Sequence, residues 1–134
     1  MNSKKVGFWL VILAVVLATV ACEFSASTAN ITNAVMTKDQ EGKTQTTVYA
    51  PTDAFYCIVS LANAPDDTKV KAVWTAVDVA GVAANTQILE IEMVTGLSKL
   101  TFTLTNDNPW PAGKYKVDIQ LNGTTAKTVE FQVK

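Results

Sequence analysis

The stretch KYKVDIQLNGTTAKTVEFQV, residues 114–133, decides the fold. Tyr115, Val117, Ile119 and Leu121 alternate with Lys114, Lys116, Asp118 and Gln120. Successive side chains of a strand point to opposite faces, so this run sets one face on a core and the other in water. Val129, Phe131 and Val133 repeat the pattern against Thr128, Glu130 and Gln132. Between the runs stands Asn122-Gly123, two residues that tolerate the positive φ a tight hairpin turn requires. The two runs are therefore expected to pair as an antiparallel hairpin.

Further toward the N-terminus the same period of two recurs. Leu100, Phe102 and Leu104 alternate with threonines, Leu89, Ile91 and Met93 with Glu90 and Glu92, and Phe55, Cys57, Val59 and Leu61 share one face. Each of these runs is expected to be a half-buried strand. Short runs separated by Pro, Gly, Asn and Asp predict an all-β, antiparallel sandwich of about seven to eight strands. The expected strands cover residues 31–38, 44–49, 54–62, 69–79, 86–95, 99–105, 114–121 and 125–133. No helical period competes beyond residue 22.

Ahead of these strands lies a different kind of sequence. Lys4 and Lys5 precede an apolar run, VGFWLVILAVVLATVA at residues 6–21, and Cys22 follows directly. The run is shorter than the ~20 residues a membrane-spanning helix needs, so a cleaved signal segment at residues 1–21 is expected, with an uncleaved anchor helix as the alternative. Thr19-Val20-Ala21-Cys22 resembles the lipobox of bacterial lipoproteins, with Thr19 where that family prefers Leu. The resemblance implies that Cys22 becomes the first residue and carries acyl chains, palmitate among them. Two or more chains anchor stably, whereas one binds only marginally. Residues 22–30 then read as a flexible tether, and residues 31–134 as one domain lipid-anchored to a cell membrane or outer membrane, on the extracytoplasmic side.

Composition excludes much chemistry. The chain of 134 residues contains no His and no Arg, so there is no imidazole base, no Ser-His or Cys-His nucleophile and no His-ligated metal. Beyond residue 21 nine lysines stand against twelve carboxylates, in no acidic or basic block. Nucleic-acid readout leans on Arg forks and basic stripes, so no nucleic-acid partner is expected. No cofactor and no metal site are expected either.

Trp74 in VKAVWTAVDV, Cys57 in an earlier strand and the segment Trp110-Pro111-Ala112-Gly113-Lys114-Tyr115-Lys116-Val117 together resemble an immunoglobulin-like or fibronectin-type sandwich. Immunoglobulins place a second cysteine where this chain has Val117. The resemblance therefore implies a core centred on Trp74, Cys57 and Val117 and held by packing. Cys57, alone in an oxidising compartment once Cys22 is acylated, is expected to be a buried small hydrophobe, the alternative being a reactive thiol. Tyr115 is expected to bond the backbone upstream as a tyrosine corner.

The candidate partner contacts are Trp110, Asp66 and Asp67. Trp110 is either a solvent-facing indole for stacking or a lid over the end of the sandwich. Asp66 and Asp67 follow Pro65 and serve either as a carboxylate pair or as ordinary turn residues. Asp39, Glu41, Asp78 and Asp107 are expected in loops at the opposite end, and Glu90 and Glu92 on one solvated strand face. The segment Tyr49 to Pro51 with Tyr56 is a further candidate edge for docking. The expected function is a non-catalytic, membrane-tethered interaction module for protein or carbohydrate. The alternatives are a calcium-dependent adhesion module and a hydrolase pairing Asp66 or Asp67 with Asp107.

Overall fold

A computed structural model of the chain describes residues 28–134. The expected signal segment, Cys22 and the first part of the tether lie outside the described residues. The elements are β1 (Asn30–Thr37), β2 (Val48–Tyr49), β3 (Phe55–Ala62), β4 (Lys69–Val79), β5 (Thr86–Val94), β6 (Lys99–Leu104), β7 (Gly113–Leu121) and β8 (Thr124–Val133). Among the described residues no helix is long and apolar enough to cross a membrane.

The strands form two sheets, β1-β3-β6 and β2-β8-β7-β4-β5. The hairpin read from residues 114–133 is present, with Tyr115 opposite Phe131 and Val117 opposite Val129. Its turn has Asn122 at φ 49° and Gly123 at φ 88°, the left-handed conformations that this dipeptide accepts at low cost. Asn122 also ties the hairpin to the neighbouring strand: its side-chain oxygen accepts from the Lys69 amide at 3.0 Å and its own amide donates to the Lys69 carbonyl at 2.8 Å.

Between the sheets lies one core, with Phe55, Cys57, Val59, Val70, Ala72, Trp74, Phe102, Val117 and Ile119 all fully buried or nearly so. Trp74 sits opposite Val117 across the β4–β7 ladder, and Cys57 opposite Phe102 across β3–β6. The expected centre is thus formed by apolar packing. The Nε1–H of Trp74 is buried without a hydrogen-bond partner, a donor whose desolvation is uncompensated.

The structure departs from the expectation in three places. The strand expected at residues 44–49 is reduced to Val48–Tyr49, and it pairs parallel to the end of β8, through Val48 with Gln132 and Tyr49 with Val133. The sandwich is therefore not wholly antiparallel. Residues 38–47 are instead used to cross from one sheet to the other. They turn tightly at Asp39 to Gly42, bridge Gln45 to Thr37, and pass the Thr47 carbonyl to the Gln132 amide at 2.8 Å. This excursion lies over the outer face of the smaller sheet: Gly42 sits so close to the Ile58 side chain that a Cβ there would collide with it. Ile58, on the face that alternation assigns to water, is buried for that reason.

The third departure concerns β5. Of the face expected against the core, Ile91 and Met93 are half-buried against it, but Leu89 is 44% exposed and every residue from Thr86 to Glu90 is exposed. The cause is the unequal size of the sheets. A five-stranded sheet facing three strands overhangs its partner, and β5 is the overhanging edge.

Candidate functional site

The end of the sandwich carrying residues 50–54 and 105–112 is closed by aromatic side chains. Phe55 is fully buried and meets Trp110 at 4.6 Å, Phe131 at 4.7 Å and Tyr49 at 4.9 Å between ring centroids. The Trp110 amide donates to the Pro51 carbonyl at 2.8 Å, and its indole Nε1–H donates to the Asp53 carbonyl at 3.0 Å. Trp110 is only 7% exposed. The indole therefore does not face solvent: stacking on Phe55 and satisfying the N–H inside outweigh exposing a large apolar ring. The lid alternative describes its position.

Tyr115 donates its hydroxyl to the Pro111 carbonyl at 2.6 Å, which is the expected corner. Gly113 makes the approach possible. Its φ is +150°, and an added Cβ would run into the Asp78 carbonyl and the Val79 backbone. The expected docking edge at Tyr49 to Pro51 is likewise occupied, since Tyr49 is buried, pairs with β8 and donates its hydroxyl to the Thr37 carbonyl at 2.7 Å. Among the described residues the other large aromatic rings are buried too, and Tyr56 is half-buried.

At the opposite end, Asp66 and Asp67 are exposed in the β3–β4 loop. The loop is held by Thr68, whose amide and hydroxyl both donate to the Pro65 carbonyl, at 3.0 and 2.7 Å. The turn thus closes without either carboxylate. Gly96 of the β5–β6 turn packs against the Asp66 backbone and side chain, so the Asp66 carboxylate sits beside the turn that follows β5. Asp107 belongs to the β6–β7 loop, a strand length away at the aromatic end. At ~3.3 Å per residue the eight residues of β3 separate the two loops by roughly 25 Å. A carboxylate pair for glycoside hydrolysis needs about 5–10 Å.

The second expected acidic group does not assemble. Among the described residues no three His, Cys, Asp or Glu side chains are grouped to hold a metal ion. Asp39 serves its own turn, accepting from the Lys43 and Thr44 amides at 2.9 Å each. Those amide bonds, the Lys43 one foremost, hold its carboxyl below its ordinary value. Cys57 is fully buried and free, and burial pushes its thiol up to about 12. A thiol so far from thiolate is unreactive, so the buried alternative describes it.

Among the described residues the most exposed apolar surface is the β5 edge and the turn after it. Leu89 is 44%, Val94 58% and Leu97 64% exposed, with Ile88 beside them. Among the described residues β5 pairs only with β4, so its outer row of backbone groups has no strand against it. On the outer face Glu90 lies opposite Val73 and Glu92 opposite Lys71. The Lys71 ammonium stands 4.0 Å from Glu90 and 3.9 Å from Glu92, between the two carboxylates. Alternation along the sequence shows a half-buried strand but not which strand ends the sheet, so sequence reasoning missed this edge. The solvated face expected for Glu90 and Glu92 is present, with a lysine between them that only the register reveals.

No protein-family model and no curated protein matches the sequence. Solved structures do resemble the fold. An immunoglobulin-like protein from Pseudomonas aeruginosa superposes with TM-score 0.58 at 13% identity, over 81% of this chain and 98% of that one. The chain is thus an immunoglobulin-like β-sandwich. A β-glucosidase from Listeria innocua matches at TM-score 0.52 and 13% identity over 81% of this chain. The DNA glycosylase AlkC of Pseudomonas fluorescens matches at 0.51 and 15% over 82%. The chain spans only 16% and 31% of those two proteins, respectively. At these identities the likeness concerns the fold alone.

Proposed function

We propose that the protein is a membrane-tethered, extracytoplasmic interaction module without catalytic chemistry, and that its partner is a protein. The observation that carries this reading is the exposed apolar edge strand β5 with its unpaired outer row of backbone groups. Long exposed edges are usually blunted or covered, because they template pairing with another chain. Burial of Trp110 and the other large rings among the described residues, Tyr56 being half-buried, favours protein over carbohydrate, since sugar recognition draws on exposed aromatic faces. The tether rests on the Lys4-Lys5 pair, the apolar run and Cys22.

Two experiments test the reading. The intact mass of membrane-extracted protein is expected to begin at Cys22 with added acyl mass, and a Cys22→Ala variant to lose that mass. A full-length unmodified chain would contradict the lipid tether. A photo-crosslinking amino acid at position 89, in cells of the source organism, is expected to yield a discrete adduct that the same group at position 101 does not. The absence of any adduct from β5 positions would contradict the interaction module.

A further inference from the structure

We infer that the free edge of β5 accepts an extended protein strand whose residues alternate between basic and apolar. This inference rests on the interaction-module reading and specifies the chemistry of the partner.

The filled side of β5 already shows what the strand accepts. Its neighbour β4 begins Lys69-Val70-Lys71-Ala72, with Lys71 on the outer face opposite Glu92 and Val70 and Ala72 on the inner face opposite Met93 and Ile91. A strand added to the other side of β5 meets the same two rows. On the inner face it meets Leu89, Ile91 and Met93, which the overhang leaves uncovered or half-covered. On the outer face it meets Glu90 and Glu92, two carboxylates served by one ammonium. Directly opposite cross-strand pairs of unlike charge stabilise a sheet, and like charges destabilise it. A lysine or arginine on the incoming outer face therefore completes the balance that Lys71 leaves half made. Asp66, at the Gly96 turn that follows β5, adds one more carboxylate near that end of the strand.

The same charges argue against a second copy of this chain as the occupant. Antiparallel pairing of β5 with itself at full overlap sets Glu90 against Glu90 and Ile88 against Glu92 of the copy, placing like charges together and an apolar side chain against a carboxylate. Glu90 and Glu92 thus act as a filter on the edge, rejecting self-pairing and acidic strands.

The test uses the full chain in detergent and two dye-labelled nine-residue peptides, one alternating lysine with valine and one alternating glutamate with valine. Fluorescence anisotropy measures affinity, and hydrogen exchange locates the contact. The lysine peptide is expected to bind at least tenfold more tightly than the glutamate peptide, to slow exchange in β5, and to weaken as salt is raised. Glu90→Gln with Glu92→Gln is expected to weaken it at least tenfold with the melting curve unchanged, and E90K with E92K to reverse the preference. Equal binding of both peptides, no binding of either, or undiminished binding to the Gln variant would overturn the inference. So would slow exchange without peptide at the β5 amides that point away from β4, which would mean that a second copy already covers the edge. A position-89 adduct in cells alongside failed peptide binding would reject the partner chemistry and leave the interaction module standing; loss of the adduct would reject the module itself.

Discussion

Phe55 and Leu89 are both large apolar residues in alternating strands, and they have opposite fates. Phe55 lies on the middle strand of its sheet, beneath Trp110 and against Phe131 and Tyr49, and is fully buried. Leu89 lies on the last strand of the larger sheet, where the three-stranded partner does not reach, and is 44% exposed. Position in the sheet order, which no local pattern encodes, separates a residue that holds the fold from one available to a partner. The aromatic end supplies rigidity, and the β5 edge supplies surface.

That contrast breaks most sharply under mutation. Phe55→Ala is expected to cost about 3–5 kcal/mol, because a ring packed among several others leaves a cavity that rigid neighbours cannot fill. Leu89→Ser is expected to stay within about 0.5 kcal/mol, as exposed substitutions do. Urea denaturation of both variants measures the difference, and comparable losses would mean that β5 is part of the core.

The next effect is ionic. Burial raises the Cys57 thiol from 9.0 to about 12 and raises the Tyr49 and Tyr115 phenols in the same direction. Each group holds its proton more tightly folded than unfolded, so its contribution is complete below its unfolded value and is lost as pH rises toward its folded one. Melting temperature is expected to fall as pH climbs from about 9 toward 12. A flat profile there would contradict the burial of these groups.

Smaller still is the difference between two tryptophans. Trp110→Phe gives up the bond from Nε1 to the Asp53 carbonyl, whereas Trp74→Phe removes a donor that has no partner. Although Trp74 is the more buried, its replacement is expected to be the milder by about 1 kcal/mol, the usual net value of one hydrogen bond. The smallest expected effect is that of a chelator. With no metal-binding group among the described residues, the melting temperature is expected to be the same with and without calcium. A rise in calcium would revive the adhesion alternative through native-state binding.

The hairpin at residues 114–133 and the core faces of β3, β6 and β7 were legible because each follows from alternation or turn chemistry within one segment, and the Tyr115 corner through the resemblance carried by residues 110–117. The excursion at residues 38–47 was not. Thr44 to Tyr49 reads as a strand, but its backbone is drawn partly to β1 and partly to β8, leaving only two residues in a ladder. Trp110 was legible as an aromatic at a loop with the lid as one of two positions; its partners Pro51 and Asp53 lie more than fifty residues away and could not be read from sequence. The β5 edge was hidden for the same reason, since Glu90, Glu92 and Lys71 become one constellation only through the register of β4 with β5.

The most direct test of the division between a rigid aromatic end and an open edge is residue-resolved hydrogen exchange on the full chain. The account predicts protection along the whole of β7, which is bonded on both sides, and alternating protection along β5, with every second amide exchanging rapidly toward solvent. Uniformly slow exchange along β5 would contradict it, because the edge on which the proposed function rests would already be covered.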